Sequence, residues 1–402
     1  MAPVFLGRPG VHRFPPRMSA PIYLDYNATT PVTEDTLDAM LPFFREHYGN
    51  PNSDHALGWA ADEAVRLARE RVARVVGATP RTIVFTSGAT ESISLALHGL
   101  GETYGGRRHH IVTVATEHKA VLETCAALER EGFEVTTLGV DRDGQLDLNR
   151  LKESLSDKTL VVAAMWANNE TGVLHPMRAI ANIAHEAGAL LMADATQTVG
   201  KLPVDVEAAG VDLLAFSAHK FYGPKGVGAL YVRRRGPNVR LAPLHSGGSQ
   251  ESGLRAGTLN VPGIVGMGAA AVAARRGLTA ETARQTALRD RFEAGLAAAV
   301  PTARVVAQGA DRLPNTSSVV FEGIRSGDLL PALHGLAVST GAACQTAAQQ
   351  PSHVLTAMGY TDDEAFSAVR FSLGRPTTTA DIDAAVAQVA EAVRSNRHRL
   401  AA

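Results

Sequence analysis

From about residue 58 the chain repeats one unit: a short run rich in Val, Ile and Leu, then a segment of helix length, then another run. The runs fall at 83–86, 111–114, 135–138, 160–165, 190–192, 213–216 and 229–232. Strands this short and this uniformly apolar are buried on both faces, and helix-length connections make neighbouring strands parallel. The predicted fold is therefore α/β, a mostly parallel seven-stranded sheet with helices on both faces. Residues 223–232 read as a hairpin return, which makes one strand antiparallel. The segment 58–76 is predicted to be a helix burying the face formed by Ala61, Ala64, Val65, Ala68, Val72, Val75 and Val76.

The pattern stops near 262–276, which reads as a break. An Ala-rich helix over 278–300 then leads into strands at 317–321, 336–339 and 369–373, a smaller α+β domain. The expected organisation is a disordered extension (1–17), an N-terminal segment packing with the small domain (18–30), a large domain (31–277) and a small C-terminal domain (278–402). Residues 1–17 contain no acid, several arginines and four prolines. The prolines oppose the amphipathic helix that a transit peptide needs, and Met18 is an alternative start.

Charge narrows the function. The chain has 39 basic and 40 acidic residues, a net −1, so it carries no electrostatic footprint for nucleic acid or an anionic membrane. Arg233-Arg234-Arg235 reads as a solvated strand end. No apolar run approaches the ~18 residues of a membrane span. Two cysteines in 402 residues point to a reducing compartment, here the cytoplasm, with no disulfide framework. Cys125 sits in an Ala/Leu-rich helical pattern and reads as an apolar filler.

The chemistry gathers at the ends of the apolar runs, where open α/β sheets bind ligands. Lys220 lies in Ser217-Ala218-His219-Lys220-Phe221-Tyr222-Gly223-Pro224-Lys225-Gly226, and Asp194 ends an earlier run. A lysine amine forms a Schiff base with an aldehyde, and a carboxylate keeps a pyridine nitrogen protonated so that the ring acts as an electron sink. Together they imply pyridoxal 5'-phosphate (PLP). The run 83–86 leads into Ser87-Gly88-Ala89-Thr90-Glu91-Ser92, small residues whose N–H groups at a helix start cradle phosphate. A Ser or Thr side-chain cap is expected there too. Ser217 and His219 stand near enough to Lys220 to add phosphate contacts. His118, after the run 111–114, is placed to stack on the ring and carry protons. Asn169 and Gln197 follow two further runs and are placed to reach the ring oxygen or the substrate. The pair His109-His110 lies at the opposite end of its run and reads as loop; no metal ligands are assigned. Cys344 lies in a small, polar stretch, Gly341-Ala342-Ala343-Cys344-Gln345-Thr346, where a reactive thiol belongs more naturally than a core one.

These segments resemble a fold-type I, class V PLP enzyme, and within that class the NifS/IscS-like cysteine desulfurases. The resemblance runs from about Ile22 to Asp383. It rests also on Tyr23-Leu24-Asp25-Tyr26-Asn27-Ala28-Thr29-Thr30-Pro31, Gly49-Asn50-Pro51-Asn52-Ser53, Gly257-Thr258-Leu259 and Arg370-Phe371-Ser372-Leu373-Gly374. It implies that Lys220 holds PLP and moves the substrate Cα proton, that Asp194 pairs with the ring nitrogen, and that His118 stacks on the ring. Ala89, Thr90, Ser217 and His219 would hold the phosphate, with Thr258 reaching in from the partner of a homodimer. Arg370, Asn169 and Asn27 would bind the carboxylate of L-cysteine. Cys344 would take the sulfur as a persulfide and pass it to an acceptor protein docking near its loop, for iron–sulfur clusters or the thiolation of cofactors or nucleic acid. The long run from Cys344 to Pro351 suits a cysteine that serves two places. Ser249 and Ser252 replace a glycine and a basic residue common in the family. Gly341–Cys344 also resembles selenocysteine lyases. A class V aminotransferase or lyase with no use for Cys344, and a non-catalytic PLP-fold protein, are the remaining readings.

Overall fold

The computed structural model describes residues 21–236, 238–340 and 350–401. The extension 1–17 and Cys344 lie outside the described residues. In chain order the strands are β1 (Ile22–Tyr23), β2 (Ile83–Thr86), β3 (His110–Val114), β4 (Glu134–Leu138), β5 (Thr159–Ala163), β6 (Leu190–Asp194), β7 (Leu213–Ser217), β8 (Gly228–Val232), β9 (Ala303–Val305), β10 (Thr316–Phe321), β11 (Leu336–Ala337) and β12 (Ala368–Ser372).

Each of the seven early apolar runs supplies a strand of one seven-stranded sheet, ordered β2-β8-β7-β6-β5-β3-β4. Only β8 is antiparallel to its neighbours, β2 and β7, as the hairpin return required. The other pairs are parallel, so the carboxyl ends of β2, β3, β5, β6 and β7 open on the same side. Two apolar layers cover the two faces of the sheet. One holds Val65, Ala68, Val72, Ile180 and Met267, the other Ile93, Leu97, Val121 and Leu128. The helix Ala56–Val75 buries Ala61, Val65, Ala68, Val72 and Val75 of the expected face.

A second core forms around Phe292, Phe321 and Phe371 beneath the antiparallel sheet β12-β10-β9. Leu24 is buried in it, and β1 pairs in parallel with β11. The N-terminal segment thus lies against this second core.

The expected break at 262–276 is replaced by helix. Val261–Ala299 is one continuous helix of 39 residues. Pro262 is tolerated in its first turn, where no N–H partner is needed, and the Asn260 side chain caps Gly263 N. The glycines serve close packing: a Cβ on Gly268 would lie 2.8 Å from Ala68 Cα of the neighbouring helix.

Candidate active site

A cavity of about 630 Å³ opens at the carboxyl ends of the large sheet and is closed on one side by β12. It is lined by residues from nearly every motif singled out above, including Asn27, Ala89, Thr90, His118, Asn169, Asp194, Gln197, Ser217, His219, Lys220 and Arg370.

Two backbone features build its floor. β7 runs directly into the 3₁₀ turn Ala218–Lys220, so Ser217, His219 and Lys220 emerge together. The second is a close crossing of β8 and the loop before the helix Ala89–Tyr104. A Cβ on Gly228 would lie 2.6 Å from Gly88 Cα, so only glycine allows this approach. The crossing sets that helix with its N-terminus at the cavity. The expected side-chain cap is absent: Gly88 is the N-cap and supplies none. Glu91 instead accepts from Ser87 N at 2.7 Å, outside the helix, and pairs with Arg255 at 2.9 Å. The first-turn N–H groups are thereby left for an anion, with Thr90 and Ser217 beside them.

Lys220 Nζ donates to the carbonyls of Asn27 at 2.6 Å and Ala28 at 2.8 Å. Asp194 ends β6, buried, with Oδ1 accepting from Thr196 N at 2.9 Å. His118 caps the helix Lys119–Arg130: its Nδ1 accepts from Ala120 N at 3.1 Å, which leaves the ring proton on Nε2. Burial, reinforced by Lys220, holds its pKa below the ordinary histidine value despite the nearby Asp194. His219 accepts from or donates to Thr29 Oγ1 at 3.1 Å, and burial with Lys220 and Lys225 pushes it down to about 4. Both rings are neutral at pH 7.

Arg370 reaches in from β12. Its Nη2 donates to Asp25 Oδ1 at 2.7 Å and to Ser339 Oγ at 2.8 Å, and its Nη1 to the Asn169 carbonyl at 3.0 Å. Its Nε is buried without a partner among the described residues. Asn27 is committed throughout: its Nδ2 donates to Thr316 Oγ1 and the Asn169 carbonyl, and its Oδ1 accepts from Lys201 and Asn315. It joins the two sheets rather than presenting a free amide. Thr258 is exposed and does not line the cavity of its own chain.

Sequence reasoning missed four residues. Glu117 is wholly buried, its pKa raised well above the carboxylate range by burial; Oε1 accepts from Met165 N and Oε2 has no partner among the described residues. His353 lines the cavity, with Nε2 on the Glu117 carbonyl at 3.0 Å and Nδ1 buried and without a partner among the described residues. Ser352 donates to Glu170 Oε2 at 2.5 Å. Lys201, partly buried, donates to Gln197 Oε1 at 2.6 Å and Asn27 Oδ1 at 2.9 Å. Its only sequence signal was a lysine set between the apolar Val199 and Leu202, just past a strand end. Cys125 is buried, and burial pushes its thiol up to about 12, in keeping with a filler.

A strand-end lysine, a buried strand-end carboxylate and an uncapped helix N-terminus around one cavity define a PLP enzyme. The profile of the class-V aminotransferases matches residues 22–385, and the chain belongs to that family; its cofactor is PLP. Within the family it is similar to "Cysteine desulfurase IscS" of Anaeromyxobacter sp. (strain Fw109-5), at 52% identity over 94% of each chain. Its structure is similar to that of a "NifS-like protein" (TM-score 0.87, 40% identity, covering 93% of this chain and 100% of that one). It is also similar to "SspA in complex with cysteine" (TM-score 0.78, 36% identity, covering 88% and 98%).

Proposed function

We propose that this chain is a cysteine desulfurase: it converts L-cysteine to L-alanine and places the sulfur on Cys344 as a persulfide. The observation that carries the reading is the meeting of Lys220, Asp194 and Arg370, from β7, β6 and β12, around one cavity. The close likeness to cysteine desulfurases supports the substrate.

When bound, PLP supplies a sink for the electrons left at the substrate Cα. The chain's own groups do the rest. The helix N-terminus at Ala89, with Thr90, Ser217 and His219, holds the phosphate, and Asp194 holds a proton on the ring nitrogen. Arg370 takes the substrate carboxylate, a task suited to its guanidinium. Asn169 stands beside it. Lys220 holds the cofactor and moves the Cα proton. Neutral His118 exchanges protons through Nε2. The Cys344 thiolate attacks the substrate sulfur, the C–S bond breaks, and the carbon fragment gains a proton and leaves as alanine. Sulfur then passes to an acceptor protein, for iron–sulfur clusters or another thiolation, in the cytoplasm.

The chain acts as a homodimer. All its exposed large apolar side chains except Val272 lie between Leu37 and Leu67, among them Phe44, Tyr48 and Trp59, among the described residues. Such concentration marks a surface made to be covered, and a second copy would bring Thr258 to this cavity.

The test is alanine and sulfide release from L-cysteine with a thiol reductant, on protein whose mass is read by sedimentation. Turnover by a particle of twice 42.3 kDa is expected. PLP-loaded protein that leaves cysteine untouched overturns the activity; a monomer that turns over overturns the dimer. Arg370→Leu is expected to raise KM for cysteine roughly 10²-fold, the loss of a charge-assisted carboxylate contact. An unchanged KM would place the carboxylate elsewhere.

A further inference from the structure

Lys201 presents a contradiction that the reaction does not resolve. The residue is only partly buried, but its amine lies in the interior, and among the described residues no carboxylate lies within ion-pair distance of it. A buried amine without a counter-charge is destabilising, and a methionine would fill the same space without the desolvation cost. Its contacts are both to side-chain amides, Gln197 Oε1 at 2.6 Å and Asn27 Oδ1 at 2.9 Å. Both amides line the cavity.

An amide side chain has two faces of opposite sense, an oxygen that accepts and an NH₂ that donates. Which face Gln197 turns to the cavity decides whether a ligand there meets a donor or an acceptor. Lys201 Nζ donates to Oε1, so the amide oxygen faces it. Nε2 then donates to the Asn27 carbonyl at 3.0 Å, and its second hydrogen remains for the cavity. The reverse orientation would set NH₂ against the amine and Oε1 against the Asn27 carbonyl, two repulsive contacts. The same amine fixes Asn27, whose Oδ1 also accepts from Asn315 Nδ2 at 3.1 Å and whose Nδ2 donates to Thr316 Oγ1 at 2.8 Å. The Asn27 carbonyl in turn receives Lys220 Nζ. One buried amine thus sets the hydrogen-bonding sense of the polar layer beneath the cavity.

We propose that Lys201 is a positioning residue: it fixes the amide of Gln197 so that its N–H, not its oxygen, meets the ring oxygen of PLP. This deepens the proposed function and rests on PLP occupying the cavity beside Gln197. The charged and titratable groups around Lys201 are Lys220 and Arg370, with Tyr26, Tyr222, Glu281 and Arg375 lining the small cavity it shares with Lys220. Glu281 is held by Arg284 and Gln285 and does not pair with Lys201. Burial together with Lys220 and Arg370 pushes the Lys201 amine well below its ordinary pKa. Charged or neutral, it has hydrogens enough for both acceptors.

The readout is the pH midpoint of the bound cofactor's visible absorption, measured on the holoenzyme without substrate. A donor on the ring oxygen stabilises the form of the cofactor that has lost its proton and so lowers the midpoint. Lys201→Met leaves Gln197 on a single tether, and the midpoint is expected to rise by about half a pH unit or more. Combined with Gln197→Leu, the Lys201 effect should largely vanish, because the group it acts through is gone. An unchanged midpoint in Lys201→Met overturns the proposal. So does a rise that persists undiminished in the Gln197→Leu background, which would mean that the amine acts by its charge alone. If Lys201→Met does not fold, Lys201→Gln, which keeps two N–H donors, carries the test: a midpoint near the wild type supports positioning and a full rise overturns it. Wild-type protein that develops no visible band with PLP would instead remove the cofactor reading itself.

Discussion

Lys220→Ala is expected to release PLP on desalting, erase the visible absorption band and lower cysteine turnover by on the order of 10⁴-fold or more. The size follows from two losses at once, the covalent hold on the cofactor and the base that moves the Cα proton. The surroundings make substitution by another group difficult. Lys220 Nζ rests on the Asn27 and Ala28 carbonyls, and the other amine of the layer, Lys201, is committed to two amide oxygens. His118 and His219 are neutral and carry no amine. The fold should survive, because Lys220 lies in a 3₁₀ turn at the cavity rather than in the core. Turnover within tenfold of wild type would sink the assignment of Lys220.

Cys344→Ala is expected to leave PLP binding and its absorption intact while alanine production from L-cysteine falls about 10³-fold, since no thiolate remains to take the sulfur. The pair of variants separates the two halves of the reaction: Lys220 for everything at Cα, Cys344 for the C–S bond alone. If Cys344→Ala kept full activity on L-selenocysteine and wild type were poor on L-cysteine, the selenocysteine lyase reading would replace the present one. If the variant lost nothing on any substrate, Cys344 would have no part in the chemistry.

Much of this was legible in the sequence because period and position carried it. Uniformly apolar runs at helix-length spacing gave the sheet, and the hairpin at 223–232 gave β8 its antiparallel sense. The strand-end rule then placed Asp194, His118, Asn169 and Lys220 around one opening. What escaped was set by three-dimensional packing. Glycines 266 and 268 look like helix breakers in one dimension, yet they let the helix Val261–Ala299 lie against its neighbours. The Ser or Thr cap expected at 87–92 did not form, because the N-cap position falls on Gly88, which has no side chain to supply one. Asn27, expected to bind substrate, lines the cavity, and its amide also bonds to Thr316, Asn169, Lys201 and Asn315, links that sequence does not show. Glu117, His353 and Lys201 are ordinary polar letters in sequence; only burial and unusual partners distinguish them.

Asn27 has a consequence for how the protein comes into being. Its backbone and side chain bond to residues 169, 197, 201, 220, 316 and 372, and to 315. During synthesis Asn27 leaves the ribosome early, and Ser372 among the last. The long loops that must close between them make these contacts slow to form. The large sheet can assemble while the chain is still growing, but its polar floor stays open until β12 arrives. A chain that has not yet added β12 is therefore a folded scaffold with an unfinished pocket, and the grip of Arg370 on the substrate carboxylate comes only when β12 closes it.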